Sequence, residues 1–328
     1  MTDRKYLLCR PLDGLNDTLG QVEICRAYAA SHGRVLLVDG RQSGVLGEFG
    51  DYFQMAGNGH IFSMTDAVMP DIDRLDCYPA EIQGRVSTVC GKKNPVRGGI
   101  RTVDAETGVP LSFPFDQDHP EPLLLHQQGG GAGKGKSFDL IDRLTLVPAL
   151  AQQVRDAIAA LPASYSALHI RNTDLRTDLD MVLDAIHNHV AGQDLLLCSD
   201  DPAVLAVLQA GLPATRVHQI TTPHFDANRP QHKAARGADA SLRHLIAAAS
   251  LIDLCALAFA ETLYVPMVLS QLAGGQLVPT KKNRLSGFSK LAAYLCEDKD
   301  RIRRLLGEAG VGFRPQARAG KVRLIKPL

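Results

Sequence analysis

Short apolar runs of strand length alternate with stretches of helical spacing along most of the chain. Tyr6-Leu-Leu-Cys9 reads as a strand, Gly14-Leu-Asn-Asp-Thr-Leu-Gly20 as a turn into a helix reaching about Ser31, and Arg34-Val-Leu-Leu-Val-Asp39 as a second strand. Two parallel strands need a crossover and the helix supplies it, so the amino half starts as a doubly wound sheet. From residue 40 to 120, Gly, Pro and charged residues break the pattern into what reads as loops and irregular insertions. Pro122-Leu-Leu-Leu-His126 resumes as a buried strand and runs into the glycine cluster Gly129 to Gly135.

The carboxy half is more regular. Pro148 to Leu161 has helical spacing with Pro in the first turn, where its missing N–H costs nothing, and stops at Pro162. Strand Ser166 to Arg171, helix Thr177 to Val190, strand Asp194 to Cys198, helix Pro202 to Gln209 and strand Thr215 to Gln219 follow. A helix from Ser241 to Ala258, a strand Thr262 to Val265 and a helix containing Phe288 to Leu295 complete a second Rossmann-like module. The expected fold class is α/β with two Rossmann-like domains, 1–147 and 148–328. The basic, Gly-rich tail after Gly307 reads as a loosely packed terminus or a segment crossing back to the first domain.

Composition narrows the function. At 328 residues the chain exceeds what one core usually supports, and 45% apolar with 22% charged residues is ordinary globular usage. A net charge of +1 provides no global field for nucleic acid or anionic lipid, so anion binding must come from a local site. Seven scattered cysteines without metal-like spacing read as reduced core thiols. No secretory leader pattern opens the sequence, and Leu245 to Ala260, which carries Asp253, reads as a buried helix; the expected location is cytoplasmic.

Five segments carry candidate chemistry. In Ala167-Leu-His169-Ile-Arg171-Asn172-Thr173-Asp174, alternation puts His169 and Arg171 on one strand face. An Arg fork suits a diphosphate, whereas a purely structural Arg there needs a partner such as Asp174 or Asp200. Gly14-Leu15-Asn16-Asp17 lies at the carboxyl edge of a strand, where open α/β sheets bind ligands; equally, Asn16 or Asp17 is suited to cap the next helix. Ser199-Asp200-Asp201 before Pro202 offers a helix cap or a carboxylate for a nucleobase or ribose. Ser286-Gly287-Phe288-Ser289 offers a cap or a phosphate-holding helix start. Finally, Gly130-Gly-Ala-Gly-Lys-Gly135-Lys136-Ser137 satisfies the Walker A spacing. A working P-loop opens a helix at its Lys-Ser, yet the pattern places the next helix only at Pro148. The segment therefore reads as a flexible glycine loop facing the interdomain cleft.

Gly14-Leu15-Asn16, His169-Ile-Arg171-Asn172-Thr173-Asp174, Ser199-Asp200-Asp201 and Ser286-Gly287-Phe288-Ser289 together resemble the fucosyltransferase-like glycosyltransferase superfamily, which includes nodulation-factor and protein O-fucosyltransferases. The resemblance touches both halves of the chain but not residues 40–120. It implies a GT-B-like pair of facing domains around a central cleft, the first on the acceptor side and the second on the donor side. It also implies metal-independent, inverting transfer from a GDP-fucose-like donor to a glycan or lipid-linked saccharide, as in polysaccharide biosynthesis. The donor is a substrate, with no cofactor and no nucleic acid partner, and peripheral membrane contact is compatible with such an acceptor.

Carried over by residue, Arg171 binds and neutralises the departing diphosphate, His169 orients donor or phosphate, Asp200 or Asp201 meets the nucleoside, and Ser286 or Ser289 a phosphate oxygen. Asn172 stands where many fucosyltransferases have a second Arg, which leaves the donor sugar open. The competing readings are a P-loop ATP-dependent enzyme using Gly130 to Ser137 and a non-catalytic nucleotide-sugar-binding protein.

Overall fold

Runs such as Leu7-Leu8-Cys9 and Leu123-Leu124-Leu125 are apolar at consecutive positions, as strands covered on both faces require. They form β1 (Tyr6–Pro11) and β8 (Leu123–Gln128), paired in parallel at the centre of a five-stranded sheet. The computed structural model describes residues 4–43, 46–55, 62–63, 69–96, 99–130, 132–133, 135–222, 238–273, 276–307 and 319–326. The chain divides into two compact units, Met1–Val147 and Pro148–Leu328.

In the first unit the strand order is β4-β2-β1-β8-β5, with β2 at Val35–Val38, β4 at Phe62–Ser63 and β5 at Cys77–Tyr78, all parallel. Because β2 lies on one side of β1 and β8 on the other, the direction of winding reverses at β1, the position where such sheets leave a crevice at their carboxyl edge. Helix α1 (Leu15–Ser31) covers one face. Leu8, Leu37, Leu123 and Leu125 of the other face pack on Ile82, Val86, Val89 and Leu111. The region expected as irregular does contain short pieces, β3 (Phe53–Met55), α2 (Met69–Ile72) and the antiparallel pair β6 (Gly91–Val96) and β7 (Gly99–Asp104). Even so, it contributes β4 and β5 to the sheet, because once a strand edge exists any nearby extended segment satisfies its backbone there.

Two expectations in this unit are corrected. Helix α1 starts at Leu15 rather than after Gly20, and its N-cap is Gly14, with no side-chain cap, so Asn16 and Asp17 lie inside the first turn. A helix also opens directly at Lys136: α3 (Lys136–Ile141) follows Gly135, whose φ of 85° turns the chain sharply enough for Phe138 and Asp139 to donate to its carbonyl. After α3, β9 (Leu144–Leu146) pairs with β3.

The second unit repeats the plan. Its sheet order is β13-β12-β10-β14-β17, all parallel, with β10 (Ser166–Ile170) central between β12 (Asp194–Ser199) and β14 (Thr262–Pro266), and with β13 at Arg216–His218 and β17 at Lys321–Ile325. Leu168, Ile170, Leu195 and Leu197 face α5 (Leu179–Val190) and α6 (Pro202–Gly211). The opposite face, bearing His169 and Cys198, meets α7 (Ala240–Phe259) and α8 (Gly287–Cys296), while α4 (Pro148–Ala159) packs on α7. By length and composition α7 is apolar enough to cross a membrane, but half of that stretch is buried in the unit, as Ile246, Leu251 and Leu254 show.

The tail after Gly307 was expected to be loose or to cross to the first domain. Residues 308–318 lie outside the described residues; α9 (Lys299–Leu305) precedes them, and after them β17 (Lys321–Ile325) closes the edge of the second sheet against β14. The alternation in this basic segment is hidden because an edge strand buries only part of its surface. A small antiparallel sheet of β11 (Leu175–Arg176), β15 (Val268–Ala273) and β16 (Gln276–Arg284) was also not anticipated. Six cysteines are buried free thiols, whereas Cys90 is exposed.

The first sheet contains a buried ion pair. Arg10 is fully buried, its Nε donating to Asp39 Oδ2 at 2.8 Å and Nη1 to the Val86 carbonyl at 2.7 Å, while Arg41 holds the other Asp39 oxygen. These cations hold the Asp39 carboxyl below its ordinary pKa despite the burial that opposes them. Asp39→Ala leaves the Arg10 charge uncompensated and is expected to cost about 3 to 5 kcal/mol in urea unfolding.

Candidate functional site

The central strand β10 ends at Ile170, and the chain then turns through Arg171-Asn172-Thr173-Asp174 into β11. This turn has few backbone ladder bonds and is held by side chains. Asp200, just beyond β12, accepts the Asn172 N–H at 2.8 Å and the Thr173 hydroxyl, and lies 2.5 Å from Arg171 Nη1. Arg171 Nη2 also donates to Asp174 Oδ1 at 2.6 Å. Asp201 caps α6 by accepting Ala203 N–H at 3.0 Å, and its second oxygen accepts Asn172 Nδ2 at 2.9 Å. Ser199 Oγ in turn accepts the Asp201 N–H at 3.1 Å.

Asp200 and Asp201 are therefore nearly buried structural anchors, 5% and 2% exposed, and the cap reading of Asp201 is realised. Asn172, read from sequence as a missing charge, cross-links the turn to the α6 cap and is itself buried. Arg171 has both carboxylate partners that a structural Arg requires, yet its side chain remains 18% exposed. Arg176, which the sequence reading passed over, donates to the Asn172 carbonyl at 2.6 Å and lies 3.5 Å from Asp201. Arg171 and Arg176 thus face three carboxylates, those of Asp174, Asp200 and Asp201.

His169 lies one residue before the strand end, 6% exposed, with Nδ1 hydrogen-bonded to Ser289 Oγ at 2.8 Å. Ser289 Oγ also meets Ser286 Oγ at 2.8 Å, and Ser286 caps α8 by accepting the Ser289 N–H at 3.0 Å. The Phe288 ring rests on the imidazole, with centroids 4.8 Å apart and planes 37° apart. Hence the predicted turns at 169–174, 199–201 and 286–289 meet at the carboxyl edge of one sheet. Burial, helped by the nearby Arg171 charge, pushes the His169 pKa down to about 3, so the ring is neutral at physiological pH. The helix start contributes Gly287 and Phe288 N–H groups without intrahelical partners, the usual setting for an anion.

Asp253 of α7 was noticed only as a charge in an apolar helix. It accepts the Thr221 hydroxyl at 2.8 Å, and burial pushes its pKa up to about 7 against the hydrogen bonds from Thr221 and Cys198. Cys198 is the register partner of His169 on β12, so this carboxyl belongs to the same sheet face. A lone acid in a long apolar run was the signal available.

Gly14, Leu15 and Asn16 occupy the matching edge of the first sheet. Leu15 is buried, and Asn16 Oδ1 accepts Ser137 Oγ at 2.8 Å, joining α1 to α3. Before them Asp13 adopts φ 71°, uncommon for a residue with a side chain; its Oδ2 would lie 2.0 Å from a Cβ at Gly129, so any larger residue there would displace the Asp13 carboxylate. Gln21 ties the glycine segment down by donating to the Gly130 carbonyl and accepting from His126 Nε2 at 2.7 Å. In the Walker-like segment, Gly131 and Lys134 lie outside the described residues. The helix expected to be missing is present, but the Ser137 hydroxyl is engaged by Asn16 and Lys136 by Asp139 at 3.5 Å. Among the described residues no group of three His, Cys, Asp or Glu side chains converges on a metal position.

The fold, two Rossmann-like units, recurs in solved structures. The chain superimposes on the fucosyltransferase NodZ from Bradyrhizobium with a TM-score of 0.54, at 14% identity, covering 88% of this chain and 91% of that one. A NodZ alpha-1,6-fucosyltransferase soaked with GDP-fucose matches at TM-score 0.53 and 16% identity over 89% and 93%. POFUT1 in complex with GDP-fucose matches at 0.51 and 13% identity, covering 99% of each chain. No family profile and no curated protein sequence matches the chain. The resemblance to the fucosyltransferase-like superfamily therefore holds in the fold, across nearly the whole chain.

The neutral His169 makes a pH prediction. Its folded pKa lies below the unfolded value of about 6.5, so its contribution is complete above that value and is lost as pH falls toward about 3. Urea unfolding is expected to show about 2 kcal/mol less stability from this group at pH 5 than at pH 7.5, and His169→Asn to remove that share. His126, held near 4 by burial, acts in the same direction and remains in the variant.

Proposed function

We propose that the protein is a glycosyltransferase that moves a sugar, fucose being the foremost candidate, from a GDP-linked donor to a hydroxyl of a glycan or lipid-linked saccharide. The observation that carries this reading is the convergence of Arg171, His169 and the Ser286–Ser289 helix start at the carboxyl end of the central strand. NodZ, which shares this fold, is described as a fucosyltransferase, and NodZ and POFUT1 are each described with GDP-fucose.

In the proposed reaction the acceptor oxygen attacks the anomeric carbon as the bond from that carbon to the diphosphate oxygen breaks, inverting the centre, and the acceptor proton passes to a carboxylate base, for which Asp13, Asp17, Glu23 and Asp174 are the candidates. Negative charge grows on the leaving diphosphate. Arg171, turned from Asp174 toward it, and the first-turn N–H groups of α8 stabilise that charge without a metal ion. His169, neutral and oriented by Ser289, donates a hydrogen bond to donor or phosphate. Asn172, Ser199, Asp200 and Asp201 keep Arg171 at its post, a positioning role beside the nucleoside contact expected of Asp200 or Asp201. The proposal includes the facing arrangement of the two domains, with the donor on the second and the acceptor on the first, where Gly14 and Asn16 complete the donor site. It also includes a place in polysaccharide biosynthesis and the cytoplasm.

A thermal-shift titration with GDP, UDP, CDP and ATP tests the donor, since a ligand of the folded state raises the midpoint by mass action. GDP is expected to stabilise the protein equally with and without magnesium. Magnesium-dependent stabilisation by ATP, abolished by Lys136→Ala, would instead establish the P-loop reading. Donor binding with no turnover on any acceptor would mark a non-catalytic binding protein. Arg171→Ala is expected to lose at least about 2 to 3 kcal/mol in GDP affinity or turnover while remaining folded. Wild-type kinetics in that variant would sink the assigned role.

A further inference from the structure

The turn that carries Arg171 holds more carboxylates than cations. Asp174, Asp200 and Asp201 face Arg171 and Arg176, an excess of one negative charge at the place assigned to the departing diphosphate. An anion approaching such a cluster is repelled unless one of the carboxylates gives way. The bonds that the three make show which one can.

Asp200 is fixed. Besides Arg171 it accepts the Asn172 N–H at 2.8 Å and the Thr173 hydroxyl, and it is nearly buried, so moving it strips three donors at once. Asp201 is equally committed, to the Ala203 N–H at the start of α6 and to Asn172 Nδ2. Asp174 differs. Its side chain is 26% exposed, and its Oδ1 accepts from Arg171 Nη2 at 2.6 Å and from Nε at 3.2 Å. Those two N–H groups form the side edge of the guanidinium, which grips the oxygens of a carboxylate or phosphate as a fork. One internal oxygen thus occupies an edge suited to an incoming phosphate.

The neighbouring backbone confines any exchange to side chains. Leu175 and Arg176 pair with Gln271 and Ser270 as β11, and the Arg171 carbonyl accepts the Thr177 hydroxyl at 3.0 Å. Asp174 can therefore leave by a change of rotamer toward solvent, with the turn unaltered, while Arg171 Nη1 keeps its 2.5 Å contact with Asp200. In the empty protein the contact also pairs an Arg171 side chain that is only 18% exposed, a charge costly to leave alone.

We propose that Asp174 is an internal stand-in for the donor phosphate: it closes the Arg171 fork in the empty protein and yields it to the diphosphate. It thereby sets how tightly the donor and the departing nucleoside diphosphate are held, a role that rests on the reading of Arg171 as the diphosphate ligand. An equilibrium between closed and open forks weakens the apparent affinity by the fraction that is open. The same competition returns the fork to Asp174 as the product leaves.

Titration calorimetry of the full chain with GDP, inorganic pyrophosphate and guanosine tests this in wild type, Asp174→Asn and Asp174→Ser. Both variants remove the competing charge, and are expected to bind GDP and pyrophosphate about tenfold more tightly than wild type, as for a fork closed roughly nine-tenths of the time. Guanosine brings no anion and is expected to bind all three proteins alike. In the Arg171→Ala background the gain from Asp174→Asn is expected to vanish, since no fork is left to contest. Weaker or unchanged binding of GDP and pyrophosphate in the folded variants, including no binding at all, overturns the proposal, because a carboxylate that only positions Arg171 is missed when it is removed. A gain shared by guanosine, or one that persists without Arg171, overturns it too. Tighter pyrophosphate binding with no binding of GDP upholds the role of Asp174 and sinks the GDP-donor assignment instead. Only equilibrium binding is read, so any part of Asp174 in proton transfer does not enter.

Discussion

The Asp200 carboxylate organises the second unit's edge. It sits nearly out of solvent and accepts a backbone N–H, a hydroxyl and a guanidinium from three successive residues, Asn172, Thr173 and Arg171. A buried carboxylate so placed is stable only when those partners are present, and they in turn have no regular ladder to hold them. The turn after β10 and the start of α6 are thereby joined, since Asn172 reaches the neighbouring Asp201 cap. Arg171 keeps a fixed position while part of its side chain stays accessible. This arrangement makes an irregular turn at a sheet edge rigid enough to present a charge.

His169 depends on a second constraint, the packing of the α8 start against β10. Ser286 Oγ satisfies the Ser289 N–H, and the Ser289 hydroxyl holds one imidazole nitrogen, so the cap and the site are joined in one chain of bonds. The capping and functional interpretations of Ser286 were posed as alternatives, but the geometry makes them compatible. Burial keeps the ring neutral, leaving it suited to hydrogen bonding rather than to holding a second positive charge beside Arg171.

The glycine segment of the first unit shows how a local spacing rule misleads in both directions. The absence of a helix before Pro148 was the argument against a P-loop, yet α3 opens at Lys136. What speaks against the P-loop is a long-range contact, the Ser137 hydroxyl turned to Asn16 more than a hundred residues earlier. A six-residue helix has too few turns for periodicity to reveal it. The β15–β16 ribbon and β17 escaped notice for a related reason: edge and two-sided strands bury little, so their alternation is weak.

The sequence by itself determined the alternation of strands and helices, the second module from Ser166 to Gly211, and the residue types at the three donor-side turns. These are properties of neighbouring residues, since strand and helix periods and helix caps act over a few positions. Only the tertiary structure decided which turns meet. His169 and Ser289 are 120 residues apart, and parallel order alone brings the ends of β10, β12 and α8 to one edge. It also decided that Asn172, Asp200 and Asp201 hydrogen-bond within the turn that carries Arg171, because a buried polar group must bond to whatever the fold places beside it.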